Sequence, residues 1–374
     1  MSPAKKACIY SNLNRSCRKR LVFQMTKTRI SFIDMAKGIG ILLVVIGHSE
    51  FPSTGLITWI SSFHMPLFFI LSGILFSHTN ALKKDFRTFV KRKARSILLP
   101  YAVFSILSIL AQAILEFDSF PEYFYTALLQ TISFYGISVL WFLPVLFFAE
   151  SIFFLIGKHT SLKGTAITTL GILGITIIGN ELFHRYYQLT DQYGTLFLSY
   201  VIAVLIRIGV ASTFLAIGYF LYKPFAAQKI SGTHYLVLSA GFLVLNLFLG
   251  FKNGGVDLNQ LVFRNYILYY LSALSGSMFL ICLCNFLPDT MPLIYLGKNS
   301  LIIMATHMNC RFFGASFLVA NFFLKLLPQA GLAGYYLIVA LCMALLEFLA
   351  ITIINRFFPF LIGKPYKKFQ VISS

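Results

Sequence analysis

Charge is scarce in this sequence of 374 residues. Asp, Glu, Lys and Arg together make up 11% of it, whereas 58% of the residues are hydrophobic. A soluble globular chain carries about 25% charged residues, so the composition excludes an ordinary soluble protein. The 40 phenylalanines and 19 tyrosines also exceed what one soluble core would bury. Together these features predict an all-α, polytopic membrane protein built as one helical bundle.

Cysteine is scarce too, and the spacing of the cysteines argues against a disulfide-stabilised domain and against a cysteine–histidine metal site. The six cysteines show no metal-ligand spacing with histidine. Cys282 and Cys284 are two residues apart on a predicted helix, so their side chains point to different faces. The pattern predicts neither a disulfide framework nor a metal site, and the thiols are interpreted as inert and buried.

Acidic residues number only 12 against 31 Lys and Arg, which gives a net charge of +19. Such a balance raises the possibility of a nucleic-acid partner. The basic residues, however, sit in short blocks between apolar runs, as the positive-inside rule requires of cytoplasmic loops. We therefore expect the lipid bilayer, and not nucleic acid, to be the partner of this charge.

The first 28 residues are basic and polar and lack an apolar core of signal-peptide length. They are interpreted as a disordered cytoplasmic tail or an overextended reading frame, for which Met25 is a possible true start. A single domain of ten spans is expected over residues 29–360, followed by a basic cytoplasmic tail over residues 361–374.

A membrane-spanning helix needs about 20 mostly apolar residues. The segment Glu122–Gly136 is apolar but shorter, and it is expected at the interface or as a re-entrant segment. Most Lys and Arg residues fall in segments assigned to the inside, so both termini are predicted to be cytoplasmic. Ten spans are predicted, at Ile30–Ser49, Ile57–Ser77, Ile97–Leu115, Val139–Ile156, Thr165–Leu182, Leu196–Tyr222, Tyr235–Phe251, Tyr266–Phe286, Ser300–Phe322 and Leu332–Phe357.

The first span carries three ionisable residues, Asp34, Lys37 and His48. An ionisable residue inside a span costs about 3 kcal/mol on insertion scales, so each is a candidate functional residue. Asp34 and Lys37 are i,i+3 neighbours that can neutralise each other. Lys37 and His48 are eleven residues apart, which is three helical turns plus about 20°, so they face the same way ~16 Å apart along the axis.

A structural interpretation of this pair is also open. Lys37 would then reach the cytoplasmic interface, and His48 would cap the outer end of the helix. His64, near the start of the second span, weakens that interpretation, because two histidines near one boundary form a candidate site.

The segment "LKKDFRTFVKRKARSILLPY" after the second span holds seven cations and one acid. A solvated cytoplasmic loop is the simplest interpretation. Arg92 and Arg95, however, are i,i+3 on one predicted helix face, which suits bidentate binding of phosphate. A cytosolic donor with several phosphates would fit this charge.

Further polar residues fall within or at the ends of later spans, and each is equally a buried structural residue or part of a site. His307 and Arg311 are i,i+4 neighbours expected to lie together at mid-membrane, and Glu347 is a plausible counter-ion for a buried arginine. The set comprises Trp141, Glu150, Arg207, His307, Arg311 and Glu347.

These residues, taken in order, resemble the acyltransferase-3 family of integral-membrane O-acyltransferases, and particularly its fucose-4-O-acetylase-like branch. The family has a basic residue, ten others and then His in its first span, which Lys37 and His48 match with Lys in place of the more usual Arg. Asp34 and Gly38 fit the flanking positions. The family's R-x-x-R is met by Arg92 and Arg95, and the blocks "FHMPLFFILSG", "LWFL" and Gly297–His307 are also similar.

The resemblance implies transfer of an acyl group, most often acetyl, from cytosolic acyl-CoA to a hydroxyl of a surface or lipid-linked carbohydrate. His48 would be the general base or a transient acyl carrier, with Lys37 and Asp34 beside the donor channel. Arg92 and Arg95 would hold the CoA phosphates. Acceptor binding or oxyanion stabilisation would fall to the remaining candidates, which are His64, His307, Arg311, Arg207, Glu150, Trp141 and Glu347.

The resemblance further implies acetyl-CoA as a co-substrate with no bound cofactor, and a location in the bacterial inner (plasma) membrane. One departure is the C-terminal stretch "INRFFPFLIGK", which lacks the acid that many members carry there, so that Glu347 is only a substitute candidate. An appended periplasmic domain is not seen. The alternative function is a glycan transporter or flippase with a charged intramembrane pathway, although no inverted repeat of the kind common in transporters is visible.

Overall fold

The computed structural model describes residues 30–49, 53–115, 120–189, 196–227, 231–326, 329 and 331–364. Within these ranges the chain is helical apart from turns, short connections and one isolated β-bridge between Asp257 and Val262. The predicted all-α fold is therefore confirmed. The predicted tail 1–28 and most of the predicted tail 361–374 lie outside the described residues.

The α-helices are numbered here in chain order. They are α1 Ser31–His48, α2 Thr54–Ser61, α3 His64–His78, α4 Phe86–Lys93, α5 Leu99–Leu115, α6 Phe120–Ile132, α7 Phe142–His159, α8 Leu162–Leu189, α9 Leu196–Ala227, α10 Gly232–Asn253, α11 Tyr266–Phe286, α12 Met291–Lys298, α13 Ser300–Thr306, α14 Phe312–Leu326 and α15 Gly331–Phe357.

Nine helical segments within the described residues are long and apolar enough to cross a membrane. They coincide with nine of the ten predicted spans and confirm a polytopic helical bundle. They are Ser31–His48, Thr54–His78, Phe86–Ile114, Ser138–His159, Leu162–Tyr186, Leu196–Tyr222, Gly232–Asn253, Tyr266–Phe286 and Gly334–Phe357.

The predicted span Ser300–Phe322 is not one helix, and that prediction was wrong. Helix α13 ends at Thr306, and α14 begins only at Phe312. Arg311 has a φ of +55°, a left-handed conformation that a right-handed helix of L-residues cannot continue through. His307 and Arg311 are consequently not i,i+4 neighbours on one helix, as the sequence had suggested. Such a break is tolerated at membrane depth where protein surrounds it.

The predicted second span is bent where it meets the candidate site. Helix α2 ends at Ser61, a turn follows, and α3 begins at His64. Pro66 lies in the first turn of α3. Backbone N–H groups in a first turn have no acceptor within the helix, so the missing N–H of proline costs no helical hydrogen bond there. The bend places His64 at a helix start within the bundle, near the outer end of α1.

The core of the bundle surrounds α9 and α3. The apolar window of α9 is 78% buried, against 17% for those of α8 and α10, which lie at the periphery. Helix α1 packs against α3, α11 and α12, and α3 packs in turn against α9 and α11. The helix that carries Lys37 and His48 therefore lies inside the bundle.

Glycines permit the closest of these helix contacts. A Cβ atom on Gly38 of α1 would overlap the backbone of α12, and one on Gly297 of α12 would overlap the backbone of α1. Gly73 and Gly218 form the same reciprocal contact between α3 and α9. Small residues of this kind let membrane helices approach backbone to backbone, so α1 and α3 are both held firmly.

The basic segment after α3 forms an irregular helix. Asp85 caps the start of α4, because its carboxylate accepts a hydrogen bond from the Thr88 N–H at 3.0 Å. This cap lowers the pKa of Asp85, which lies outside the spans. Helix α4 then passes into a π-helical turn at Ala94–Leu98 before α5 continues the span.

The predicted interfacial segment Glu122–Gly136 forms the short helix α6 and the turn that follows it. The chain reverses at Gly136, which has a φ of +84°, and a 3₁₀ turn at Ser138–Trp141 then leads into α7. A Cβ on Gly136 would overlap the Trp141 backbone. This tight return directs Trp141 into the bundle, where it is buried.

Candidate functional site

Three cavities follow one another along α1. The end of the bundle that carries the basic helix α4 is called the inner end, and the opposite end the outer end. The inner chamber, of about 390 Å³, is lined by Lys84, Arg92, Lys93 and Glu150 among others. The middle chamber, of about 180 Å³, extends beside α1 between Lys37 and His48.

The outer chamber has a volume of about 360 Å³ and lies beyond His48. It is lined by both ends of the α2–α3 bend, by the 3₁₀ turn before α7 and by the loop between α10 and α11. Its polar side chains are His48, His64, Ser61, Ser138, Asp257 and Asn259.

Neighbouring chambers share walls. Lys37, Ser72 and Leu146 line both the inner and the middle chamber. His48 and Trp141 line both the middle and the outer chamber. Lys37 and His48 therefore mark the two ends of the narrow middle chamber, as their eleven-residue spacing predicts, ~16 Å apart along the helix.

The His48 ring is oriented by its own helix. Its Nδ1 lies 2.8 Å from the carbonyl oxygen of Val44. Because a carbonyl only accepts, Nδ1 carries the proton of the neutral ring and Nε2 presents a lone pair. In its neutral form, His48 thus offers a lone pair at the junction of the middle and outer chambers, as a base or a nucleophile requires.

His64 and His307 have the same tautomer for the same reason. The Nδ1 atom of His64 is 2.8 Å from the Ile60 carbonyl oxygen, and that of His307 is 2.8 Å from the Ile303 carbonyl oxygen. As neutral rings, both present an accepting Nε2. For His64, which lines the outer chamber, this geometry favours acceptance of a hydroxyl hydrogen bond over donation to an oxyanion.

His307 lies against His48 and lines none of the three chambers. The two ring centroids are 5.3 Å apart, and His307 is fully buried. Its Nε2 has no hydrogen-bond partner among the described residues. The break between α13 and α14 begins at this residue. His307 therefore contacts His48 from a segment of irregular backbone.

The inner chamber concentrates positive charge. Burial, together with repulsion from Arg92 and Lys93, lowers the pKa of Lys84, which lies in the connection between two spans. Lys93 forms an ion pair with the buried carboxylate of Glu150, at 2.6 Å. The structure thus places Glu150 in the inner chamber, away from His48 and His64, which line the outer chamber.

Of Arg92 and Arg95, only Arg92 lines a chamber, and joint binding of phosphate by both stays a prediction. Arg92 lines the inner chamber, whereas Arg95 lies in the π-helical turn and lines none of the three chambers. A π-helix turns less per residue than an α-helix, so the i,i+3 relationship no longer sets the two side chains on one face. Sequence reasoning missed Lys84 and Lys93, which the same basic block contained.

Asp34 is buried in α1, near the inner end. It lines none of the three chambers. Its backbone is the surface against which Gly297 packs. The structure therefore places Asp34 at the contact of α1 with α12, one helical turn from Lys37.

Arg207 is fully buried and joins two segments that line the outer chamber. Its guanidinium donates to the Asn259 carbonyl from Nε at 3.1 Å and from Nη2 at 2.5 Å, and to the Tyr135 carbonyl from Nη1 at 3.0 Å. It also lies 4.1 Å from the centroid of the Tyr135 ring and 5.4 Å from that of Trp141. Arg207 thus lies behind the chamber wall and holds the segments of Asn259 and Tyr135 together.

Arg311 and Glu347 lie outside the chambers. Arg311 donates to the side-chain oxygen of Gln112. Glu347 accepts a hydrogen bond from the Thr306 hydroxyl at 2.8 Å and lines an apolar groove of about 460 Å³ on another face of α1. The described residues contain no group of three or more His, Cys, Asp or Glu side chains placed to hold a metal ion.

The fold and the chambers define a polytopic membrane protein with adjoining cavities between a cationic end and an imidazole. Residues 30–363 match the family model described as an acyltransferase domain. This match covers most of the chain, which therefore belongs to the acyltransferase-3 family and is a membrane acyltransferase. Searches of curated proteins and of solved structures found no match.

Proposed function

We propose that this protein transfers an acetyl group from cytosolic acetyl-CoA to a hydroxyl of a surface or lipid-linked carbohydrate at the inner (plasma) membrane of a bacterium. The acyltransferase class follows from the family. The observation that carries the proposal is the series of chambers that begins at Arg92 and reaches His48. The fucose-4-O-acetylase-like branch stays a prediction from sequence.

The donor enters at the inner end. The phosphates of CoA bind Arg92, Lys84 and Lys93, whose positive charge is close together and partly shielded from water. The pantetheine arm is long, thin and flexible, and the narrow middle chamber suits it. Lys37, at the entrance of that chamber, contacts the polar groups of the arm.

Lys37 does not act on the thioester directly. It lies ~16 Å from His48 along α1, so one carbonyl group cannot contact both side chains. We therefore assign Lys37 to the passage and His48 to the reaction. Asp34, one turn from Lys37 and buried, positions this part of α1.

The reaction takes place where the middle and outer chambers meet. Nε2 of His48 removes the proton of the acceptor hydroxyl as the hydroxyl oxygen attacks the thioester carbonyl. The tetrahedral intermediate then expels the CoA thiolate, and His48 returns the proton to the sulfur. In the alternative sequence, Nε2 attacks the thioester carbonyl first and expels the CoA thiolate, which leaves an acyl-histidine. The acceptor hydroxyl then attacks the acyl carbon, the bond from the carbonyl carbon to Nε2 breaks, and the hydroxyl proton passes to the thiolate.

Trp141 is suited to stabilise the intermediate. It lines the middle and outer chambers at the same level as His48. The structure gives its indole N–H no acceptor among the described residues, so this donor is available to a developing oxyanion. The apolar walls of the middle chamber limit the access of water to the thioester.

The test is acetyl transfer by His48→Ala in membranes, with labelled acetyl-CoA and glycan from the producing cell. We expect a loss of about 100-fold or more, the contribution typical of general-base catalysis. His159→Ala is the matched control, because His159 lies at the exposed end of α7. Near-normal transfer by folded His48→Ala would contradict the proposal.

A second experiment separates the two reaction sequences. The protein is incubated with labelled acetyl-CoA in the absence of acceptor and then denatured. Label retained by the wild type and absent from His48→Ala supports the acyl-histidine. Absence of label from both, with transfer intact in the wild type, supports direct attack.

A further inference from the structure

We infer that the outer chamber selects a neutral or amino sugar and excludes anionic sugars, with Asp257 and Asn259 as specificity-determining residues. The inference rests on the proposed function, because it describes the acceptor of that reaction. It is carried by the loop between α10 and α11, to which neither sequence motif nor family match assigns a role.

The loop between α10 and α11 has a defined conformation that contacts with the helical bundle stabilise. Asp257 and Val262 pair through two backbone hydrogen bonds of 2.9 and 2.8 Å. Val256 and Leu258 are buried and anchor the loop in the core. The carbonyl of Leu261 accepts from Asn180 of α8 at 3.3 Å.

Arg207 completes the anchoring of the loop. Two of its N–H groups bind the Asn259 carbonyl, which fixes the residue that faces the chamber. A wall fixed by so many contacts is preorganised, and a preorganised site loses little entropy when a ligand binds. The side chains at positions 257 and 259 are therefore presented to the chamber in defined places.

Four of the side chains that line the outer chamber present hydrogen-bond acceptors. In their neutral forms, His48 and His64 present Nε2 lone pairs, because each Nδ1 donates to a helix carbonyl. Asp257 contributes a carboxylate. Asn259 Oδ1 accepts no hydrogen bond among the described residues and is buried. Such a surface binds a ligand rich in O–H or N–H donors.

The outer chamber is lined by one carboxylate, that of Asp257. None of its lining residues within the described chain is Lys or Arg. Arg207 is near enough to attract Asp257, but it is fully buried behind the loop and its N–H groups bind carbonyls. An anionic acceptor would thus approach a carboxylate with no Lys or Arg side chain in the chamber lining to pair with it, which is unfavourable.

The size of the chamber agrees with this assignment. Its volume of about 360 Å³ lies in the range of small-molecule sites, roughly 300–1,000 Å³. Apolar side chains of α2, among them Ile57 and Ile60, form part of the wall. A neutral sugar can place its C–H face on these residues while its hydroxyls meet the acceptors on the opposite side.

Asp257→Asn tests the inference with little change of shape. Oδ1 of Asp257 accepts from the N–H groups of Asn259 and Gln260, at 2.7 and 3.1 Å, and an asparagine Oδ1 can keep both bonds. The substitution removes the charge and converts the other carboxylate oxygen to an N–H donor. Gln260→Ala is the control, since that side chain is exposed on the same loop and does not line the chamber.

The measurement is acetyl transfer to pairs of methyl glycosides that differ only in charge, such as glucoside and glucuronide, galactoside and galacturonide. We expect kcat/KM of the wild type to favour the neutral member of each accepted pair by about tenfold or more. In Asp257→Asn this ratio falls to near one, mainly through the KM for the acceptor, while Gln260→Ala keeps it.

If Asp257→Asn does not fold, Asn259→Asp provides a second test of the inference. It adds a carboxylate to the same wall and is expected to increase the neutral-to-anionic ratio. A wild type that prefers uronides, or a ratio that neither substitution changes, would overturn this inference and leave the proposed function standing. Failure to acetylate every glycoside and also the glycan of the producing cell would instead contradict the proposed function.

Discussion

The imidazole rings of His307 and His48 lie side by side, with their centroids 5.3 Å apart and their planes tilted by 55°. They come from helices far apart in sequence, α1 and the broken segment between α13 and α14. His307 is fully buried, so it touches the reacting groups only through His48. Under the proposed function, this contact makes His307 a positioning residue for His48.

The positioning role predicts different effects for two substitutions of His307. His307→Ala removes the supporting ring, and we expect kcat to fall about 100-fold, because small misplacement of a catalytic group has effects of that size. His307→Phe keeps an aromatic ring against His48 and should retain most activity. The KM for acetyl-CoA, set at the inner chamber, should change in neither. Equal loss in both variants would show that the His307 nitrogen itself is needed.

The π-helical turn makes Arg92 and Arg95 unequal, although a sequence motif would treat them as a pair. Arg92→Ala is expected to weaken acetyl-CoA binding about tenfold, because a charge-assisted contact to phosphate is lost. Arg95→Ala serves as the matched comparison and should change affinity little. Isothermal titration of the purified protein measures both. Equal losses would show that both arginines reach the donor.

The ion pair between Lys93 and Glu150 competes with the donor phosphates for Lys93. Glu150→Gln removes the competing charge, and we expect acetyl-CoA to bind a few times more tightly, since a nearby like charge is removed from an anion site. Lys93→Ala should weaken binding. The same titrations measure both changes. Weaker binding by Glu150→Gln, with the fold intact, would contradict the assignment of Lys93 to the donor site.

The contact between α1 and α12 predicts a strong effect of a single methyl group. Gly297→Ala forces a Cβ into the backbone of Asp34, and overpacking of this kind costs about 1–3 kcal/mol. We expect a lower yield of folded protein and a lower melting temperature in detergent. Gly241→Ala is the control, because a Cβ there meets open space. Similar melting temperatures for both variants would contradict the contact.

Much of the fold could be predicted from the sequence, because hydropathy alone marks a membrane helix. The failures occur where one residue's backbone overrides the pattern. The left-handed Arg311 breaks an apolar run that otherwise has the length of a span. The π-helical turn at Ala94–Leu98 likewise alters which cations face inward. No periodicity in the sequence predicts this turn.

The candidate site could be predicted in part. Lys37 and His48 lie on one helix, so helical geometry alone sets them on one face. His64 and His307 could be named as polar residues inside spans, but their distances from His48 depend on tertiary packing. Asp257 and Asn259 were missed, because they lie in a polar loop where nothing in the sequence distinguishes them from solvated residues.

The proposed reaction depends on passage of the donor arm through the middle chamber, and Ser72 is the residue best placed to block it. Ser72 lines the inner and middle chambers together with Lys37. Ser72→Phe is expected to block the passage while Ser72→Ala leaves it open. The measurement is acetyl transfer, alongside binding of adenosine 3′,5′-bisphosphate, which represents the phosphate-bearing end of CoA.

We expect Ser72→Phe to lose transfer by about 100-fold or more, the loss expected when the thioester cannot reach the catalytic base. This variant should bind the bisphosphate like the wild type, because the cations of the inner chamber are unchanged. Ser72→Ala should behave as wild type in both assays. Normal transfer by folded Ser72→Phe would contradict the account.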